Sequence, residues 1–474
     1  MTSTPAATLP ILIQGGMGIG VSSWKLAQEV SRKGQLGVVS GTAIDAVIAR
    51  RLQDGDISGD VRRALTHFPN QEIAQLIIDR YYIEGGRDSK VPYIDVPKLS
   101  LRPTSFAVEL LVVSTFVEVW LAKEGHSGLV GMNILEKIQM AIPFQLFGAI
   151  LADVDYILIG AGIPAQIPFA LDLLQKGKPV AMRVDVADTN EKSILKFDPS
   201  TITGISYPLK RPKFLAIVSS HALVSYLNKD DETKPDGYII EYHVAGGHNA
   251  PPRKKDAIDG NGEAIYSELD SPNLDKIIAT GSDFWLAGGF GTPEKLKEAL
   301  SLGACGIQVG SLFALSNETG FTKNLKVDAI NHLMDGSIHI TTDATASPTG
   351  FPFKVIENED SLSVRDNFEK RIRVCDLGYL RTPFKRESGS IGYRCPAEPQ
   401  SNFVFKHGHI EQSHNAKCLC NALMADIGLG QIRPNGSTEM PLVTIGSDLE
   451  GPRRLLQMHP QGWSAAEAVT FLLN

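Results

Sequence analysis

Short apolar runs that end in glycine recur along the first two thirds of the chain, and stretches of helical spacing separate them. Residues 10–14 run into Gly15-Gly16-Met17-Gly18. Residues 22–33 follow with helical spacing, Ser22 or Ser23 as N-cap and Gly34 as stop. Further apolar runs lie at 36–41, 127–135, 156–162, 213–219 and 237–242. The last two are Leu286-Ala287-Gly288-Gly289 and Gly306-Ile307-Gln308-Val309-Gly310-Ser311, which flank a helix with Pro293 near its start and Gly303 as its stop. Continuous apolar runs are the mark of parallel strands buried on both faces. Eight of them alternating with helices predict an α/β protein built as a (β/α)₈ TIM barrel over residues 1–315.

Residues 179–186 are one strand too many and are read, through 208, as a hairpin-bearing insertion. Residues 44–103 are charged and form a second insertion, a lid or subunit contact, helical near 44–54 and 70–83. A helical extension over 316–372 and a cysteine-containing region over 373–474, ending in an amphipathic helix near 463–473, complete the expected domains.

Composition narrows the partners. A 43% hydrophobic share is ample for a core, and a net charge of −7 argues against nucleic acid and anionic membranes. The apolar run 106–121 is short for a membrane span and contains Glu109 and Glu118. Residues 1–10 show no secretory signal, so a cytoplasmic protein is expected.

The two last glycine turns carry the candidate chemistry. Without Cβ atoms at Gly288, Gly289 and Gly310, backbone N–H groups can close on a phosphate, and a helix N-terminus adds its dipole. In barrels of this kind phosphate binds in the loops after strands 7 and 8. The Gly15–Gly20 turn, by contrast, does not fit the dinucleotide fingerprint.

Six segments in order, Ile13-Gln14-Gly15-Gly16-Met17, Gly131-Met132-Asn133-Ile134-Leu135, Gly160-Ala161-Gly162, Ala245-Gly246-Gly247-His248, Leu286-Ala287-Gly288-Gly289 and the run from Leu302 to Ser311, resemble the nitronate monooxygenase / 2-nitropropane dioxygenase family. These are FMN-dependent TIM barrels related to FMN-dependent enoyl-acyl-carrier-protein reductases. The resemblance implies an FMN phosphate on Gly288, Gly289, Gly310 and Ser311. It places Gln14, Gly15, Gly16, Met17, Asn133 and Gly247 around the ring system, and it makes His248 the catalytic histidine. It implies a flavin-dependent oxidoreductase that oxidises a small carbanion-like substrate with oxygen. Alternatives are an NAD(P)H-dependent enoyl-thioester reductase and a non-catalytic flavin-binding subunit. The acidic residue usual before Ala-Gly-Gly-His is Val244 in this chain.

Four of the five cysteines, Cys375, Cys395, Cys418 and Cys420, cluster in the C-terminal region. In a reducing compartment such thiols either pack as buried side chains or hold an iron–sulfur cluster or zinc. A small-molecule substrate is expected, with a homo-oligomer or biosynthetic partner proteins left open.

Overall fold

The computed structural model describes residues 9–255 and 257–474. Over residues 1–8, the segment read as lacking a secretory signal lies outside the described residues. Eight strands form one parallel sheet: Leu12–Gln14 (β1), Gly37–Ser40 (β2), Val130–Leu135 (β3), Tyr156–Gly160 (β4), Lys213–Val218 (β5), Gly237–Glu241 (β6), Phe284–Ala287 (β7) and Gly306–Val309 (β8). They are bonded in the order β1-β8-β7-β6-β5-β4-β3-β2. The ends meet where the Gln14 N–H donates to the Leu36 carbonyl at 2.9 Å and the Leu36 N–H to that of Leu12 at 3.1 Å. The Gln14 side chain completes the closure, its Oε1 accepting from the Val38 N–H at 3.0 Å. The chain is a (β/α)₈ TIM barrel.

Strand alternation divides the core in two. Ile13, Val38, Leu158, Leu215, Ile239 and Trp285 form a buried cluster within the sheet. Their neighbours Leu12, Val39, Ile157, Ala216, Ile240 and Leu286 pack in the large outer cluster with the surrounding helices.

Helix Trp24–Arg32 is capped by Ser23, whose side chain accepts from the Leu26 N–H. Ser22 instead holds the turn before it, its Oγ accepting from the Met17 N–H at 2.9 Å. Helix Pro293–Ser301 starts with proline after the N-cap Thr292. The apolar run at 106–121 belongs to a 19-residue helix, Ser105–Lys123, which has the length and composition of a membrane span. Its apolarity is accounted for by burial, since 72% of that window is inside the protein. It packs on helices Trp24–Arg32, Ile44–Gln53 and Ile142–Leu151.

Val180–Val184 and Ser193–Phe197 pair as an antiparallel hairpin, as expected for the extra strand. Residues 316–372, read as helical with loops, also contain strands. Helices Lys323–Asp335 and Arg365–Lys370 flank an antiparallel hairpin, Ile340–Asp343 with Phe353–Ile356. Four-residue strands carry too few positions for their period to show in the sequence. The same holds for the six-residue helix Asp60–Leu65 within 44–103.

Candidate active site

The C-terminal ends of the strands surround a cavity of about 220 Å³ that opens to solvent. Its floor is the topmost layer of inward-facing residues: Ile217 on β5, Glu241 on β6, Ala287 on β7 and Gln308 on β8. Gly15, Gly16, Met17, Asn133, Gly247, His248, Gly288, Gly289, Gly310 and Ser311 all line it. Gln14 does not. It is fully buried at the β1–β2 seam, with Nε2 donating to Ser22 Oγ at 2.9 Å, so it closes the barrel and lies outside the cavity lining.

At Gly288 the backbone is left-handed (φ 80°), and a Cβ would lie 2.6 Å from the Tyr242 carbonyl oxygen. Gly289 is also left-handed (φ 83°). No hydrogen bond within the described residues uses the N–H of Gly288, Gly289, Gly310 or Ser311. Ser311 Oγ accepts from the Gly446 N–H at 2.9 Å, so the C-terminal region reaches the same place. Two further polar atoms are buried without partners, Asn133 Oδ1 and Gln308 Oε1, and both residues line the cavity. Buried amide groups left unpaired are costly unless something completes them. Free glycine amides for a phosphate, with orphaned amide groups for the polar edge of a ring, fit FMN.

His248 is held from three sides. The Lys354 N–H donates to the Gly247 carbonyl at 3.0 Å, and the Asn249 N–H donates to that of Pro352 at 2.9 Å. Thr444 Oγ1 accepts from the Gly247 N–H at 2.9 Å. The Phe353 ring stands edge-on to the imidazole with centroids 4.9 Å apart. Nε2 shares a 2.7 Å hydrogen bond with Ser347 Oγ, which is 2.8 Å from Thr349 Oγ1. Desolvation first, and the positive charge of Lys137 second, push the His248 pKa down to about 4. The imidazole is therefore neutral at physiological pH.

Glu241 is a site residue that the sequence did not signal. A carboxyl at a strand end reads as an ordinary polar terminus; only the barrel geometry turns it inward. Burial raises its pKa to about 8. Val244, which stands where the resembling family carries an acid, also lines the cavity, so Glu241 three residues earlier is the carboxyl of this segment.

Cys375, Cys395, Cys418 and Cys420 line one small separate cavity with Leu380 and Asn421. All are free thiols. Among the described residues no group of three or more His, Cys, Asp or Glu could hold a metal ion. The thiols converge without the geometry of a zinc or iron–sulfur centre, so no chemistry is assigned to them through a metal. Burial raises the Cys418 and Cys420 thiols, which keeps them protonated as packing groups.

No family model and no curated protein matches the sequence. Among solved structures, FabK from Thermotoga maritima is 14% identical, with 98% of this chain and 92% of that chain covered and a TM-score of 0.48. Nitroalkane oxidase from Streptomyces ansochromogenes is 13% identical over 98% and 95%, also at 0.48. The enoyl reductase domain of MlnA from Bacillus amyloliquefaciens is 12% identical over 98% and 94%, at 0.45. At these identities and scores the likenesses carry nothing about activity, which rests on the cavity itself.

Proposed function

We propose that the protein binds FMN at the mouth of the barrel and is a flavin-dependent oxidoreductase of the nitronate monooxygenase type, oxidising a small carbanion-forming substrate with oxygen. The observation that carries this reading is the imidazole of His248, held by Ser347, in the same cavity as the unclaimed glycine amides. When bound, FMN supplies the two-electron redox chemistry. Gly288, Gly289, Gly310 and Ser311 hold the phosphate through backbone N–H groups, while Gly15, Gly16, Met17, Asn133 and Gly247 surround the ring system.

His248 takes a proton from the substrate carbon, and the electron pair of the broken C–H bond stays on the substrate. Ser347 fixes the imidazole by its 2.7 Å bond, and Thr349 extends the hydroxyl chain by which a proton leaves the ring. A histidine with a pKa near 4 is unprotonated at neutral pH, so its ring nitrogen lone pair is free and it seldom carries a proton to donate.

Anaerobic titration tests the proposal. Bleaching of bound flavin by a small nitroalkane without a nicotinamide supports it. Bleaching by NADH or NADPH alone, with electrons passing to an enoyl thioester, would replace it with the reductase reading. Flavin reduced by neither would leave a binding subunit.

A further inference from the structure

The cavity floor holds a carboxyl that nothing neutralises. Glu241 ends β6 and points inward beside Ala287 on β7, its register partner, and Ile217 on β5. Neither neighbour titrates. Among the described residues its side chain makes no hydrogen bond and no ion pair, and no lysine or arginine lines the cavity. The other titratable groups near it are His248 and Asp448 across the cavity, and Tyr266, which is half-buried and stacked on His243. An ionised carboxylate in that half-buried place would have neither counterion nor hydrogen-bond donor, which favours keeping the proton. The raised pKa agrees.

We infer that Glu241 stands in the cavity as a carboxylic acid and donates its hydrogen bond to the carbonyl or nitro oxygen of an uncharged carbon acid while His248 removes the carbon's proton. The inference rests on the proposed role of His248. In the step, the C–H bond breaks and an N–H bond forms on the imidazole. The C–H electron pair delocalises onto the oxygen facing Glu241, and the Glu241 proton stays on Glu241. A neutral acid aimed at developing negative charge is an electrophilic group of the oxyanion-hole kind.

The protonation claim is read from stability alone, with flavin-free protein. A carboxyl whose pKa is raised holds its proton in the fold until about pH 8, whereas the unfolded chain releases it near the ordinary 4.5. Wild-type stability must therefore fall between those limits relative to Glu241→Gln. The two melting temperatures should coincide at acid pH and separate by several degrees in favour of Glu241→Gln above pH 8. A constant difference at all pH values would overturn the claim. The hydrogen-bond role is read from exchange of the α-protons of nitroethane in D₂O near neutral pD, with the anaerobic holoprotein. Glu241→Ala should lower exchange ~10²–10³-fold, the scale for losing one oxyanion donor, and Glu241→Gln should recover much of it through its amide N–H. Exchange undiminished in Glu241→Ala would overturn the role. Protein that exchanges nitroethane but binds no flavin would sink the flavin reading and leave this one standing.

Discussion

Desolvation and the nearby charge of Lys137 make His248 give up its proton at a lower pH than a free imidazole. For His248 this places the acid limb of kcat/KM near pH 4 and not near the ordinary 6.5, because the neutral form is the active one. The same depression has a stability consequence: between pH 6.5 and 4 the unfolded chain gains a proton that the fold does not, so stability declines as pH falls through that window. A pH–rate profile and a pH series of melting curves check both. His248→Ala should keep its flavin and lose ~10²–10⁴-fold in turnover; loss of flavin instead would make it a binding residue. Gly310 offers a second single-residue test. A Cβ there has room, its nearest contact being Met17 Sδ at 3.6 Å, but it would stand in the proposed phosphate cradle. Gly310→Ala should fold normally by circular dichroism and lose at least an order of magnitude in FMN affinity by fluorescence titration.

Among the elements, the hairpin Ile340–Asp343 with Phe353–Ile356 lies outside the barrel yet fixes the loop that carries His248. Phe353 is 2% exposed and packs against the imidazole, so Phe353→Ala should cost ~3–5 kcal/mol in chemical denaturation and reduce turnover without displacing flavin. This support was not legible in the sequence, since strands of four residues show no period and Phe353 is distant from His248 along the chain. The barrel strands were legible because parallel strands are apolar on both faces, and the glycine turns because free amides require them. Side-chain direction at the strand ends was not. Gln14 reads like a ring-lining residue and instead closes the seam, while Glu241 and Gln308 read as strand polar groups and instead form the cavity floor.

At the scale of the whole molecule, the C-terminal region is held together by buried charge and meets the barrel at the cavity wall. Arg371 and Arg433 both pair with Glu439, which is 6% exposed, and Arg433 also bonds Asp376 at 2.7 Å. Glu439→Gln removes the shared counterion and leaves two guanidinium groups underpaired, a loss of ~3–5 kcal/mol. Limited proteolysis should then cut the C-terminal region before the barrel. Thr444, Ile445, Gly446 and Asp448 from that region line the cavity, so such loosening should also release flavin. That cavity's cofactor is the central claim, and the direct measurement is the visible spectrum and flavin content of the purified protein, before and after reconstitution. The account predicts one FMN per chain, released on denaturation. FAD, or colourless protein that takes up no flavin, would contradict it.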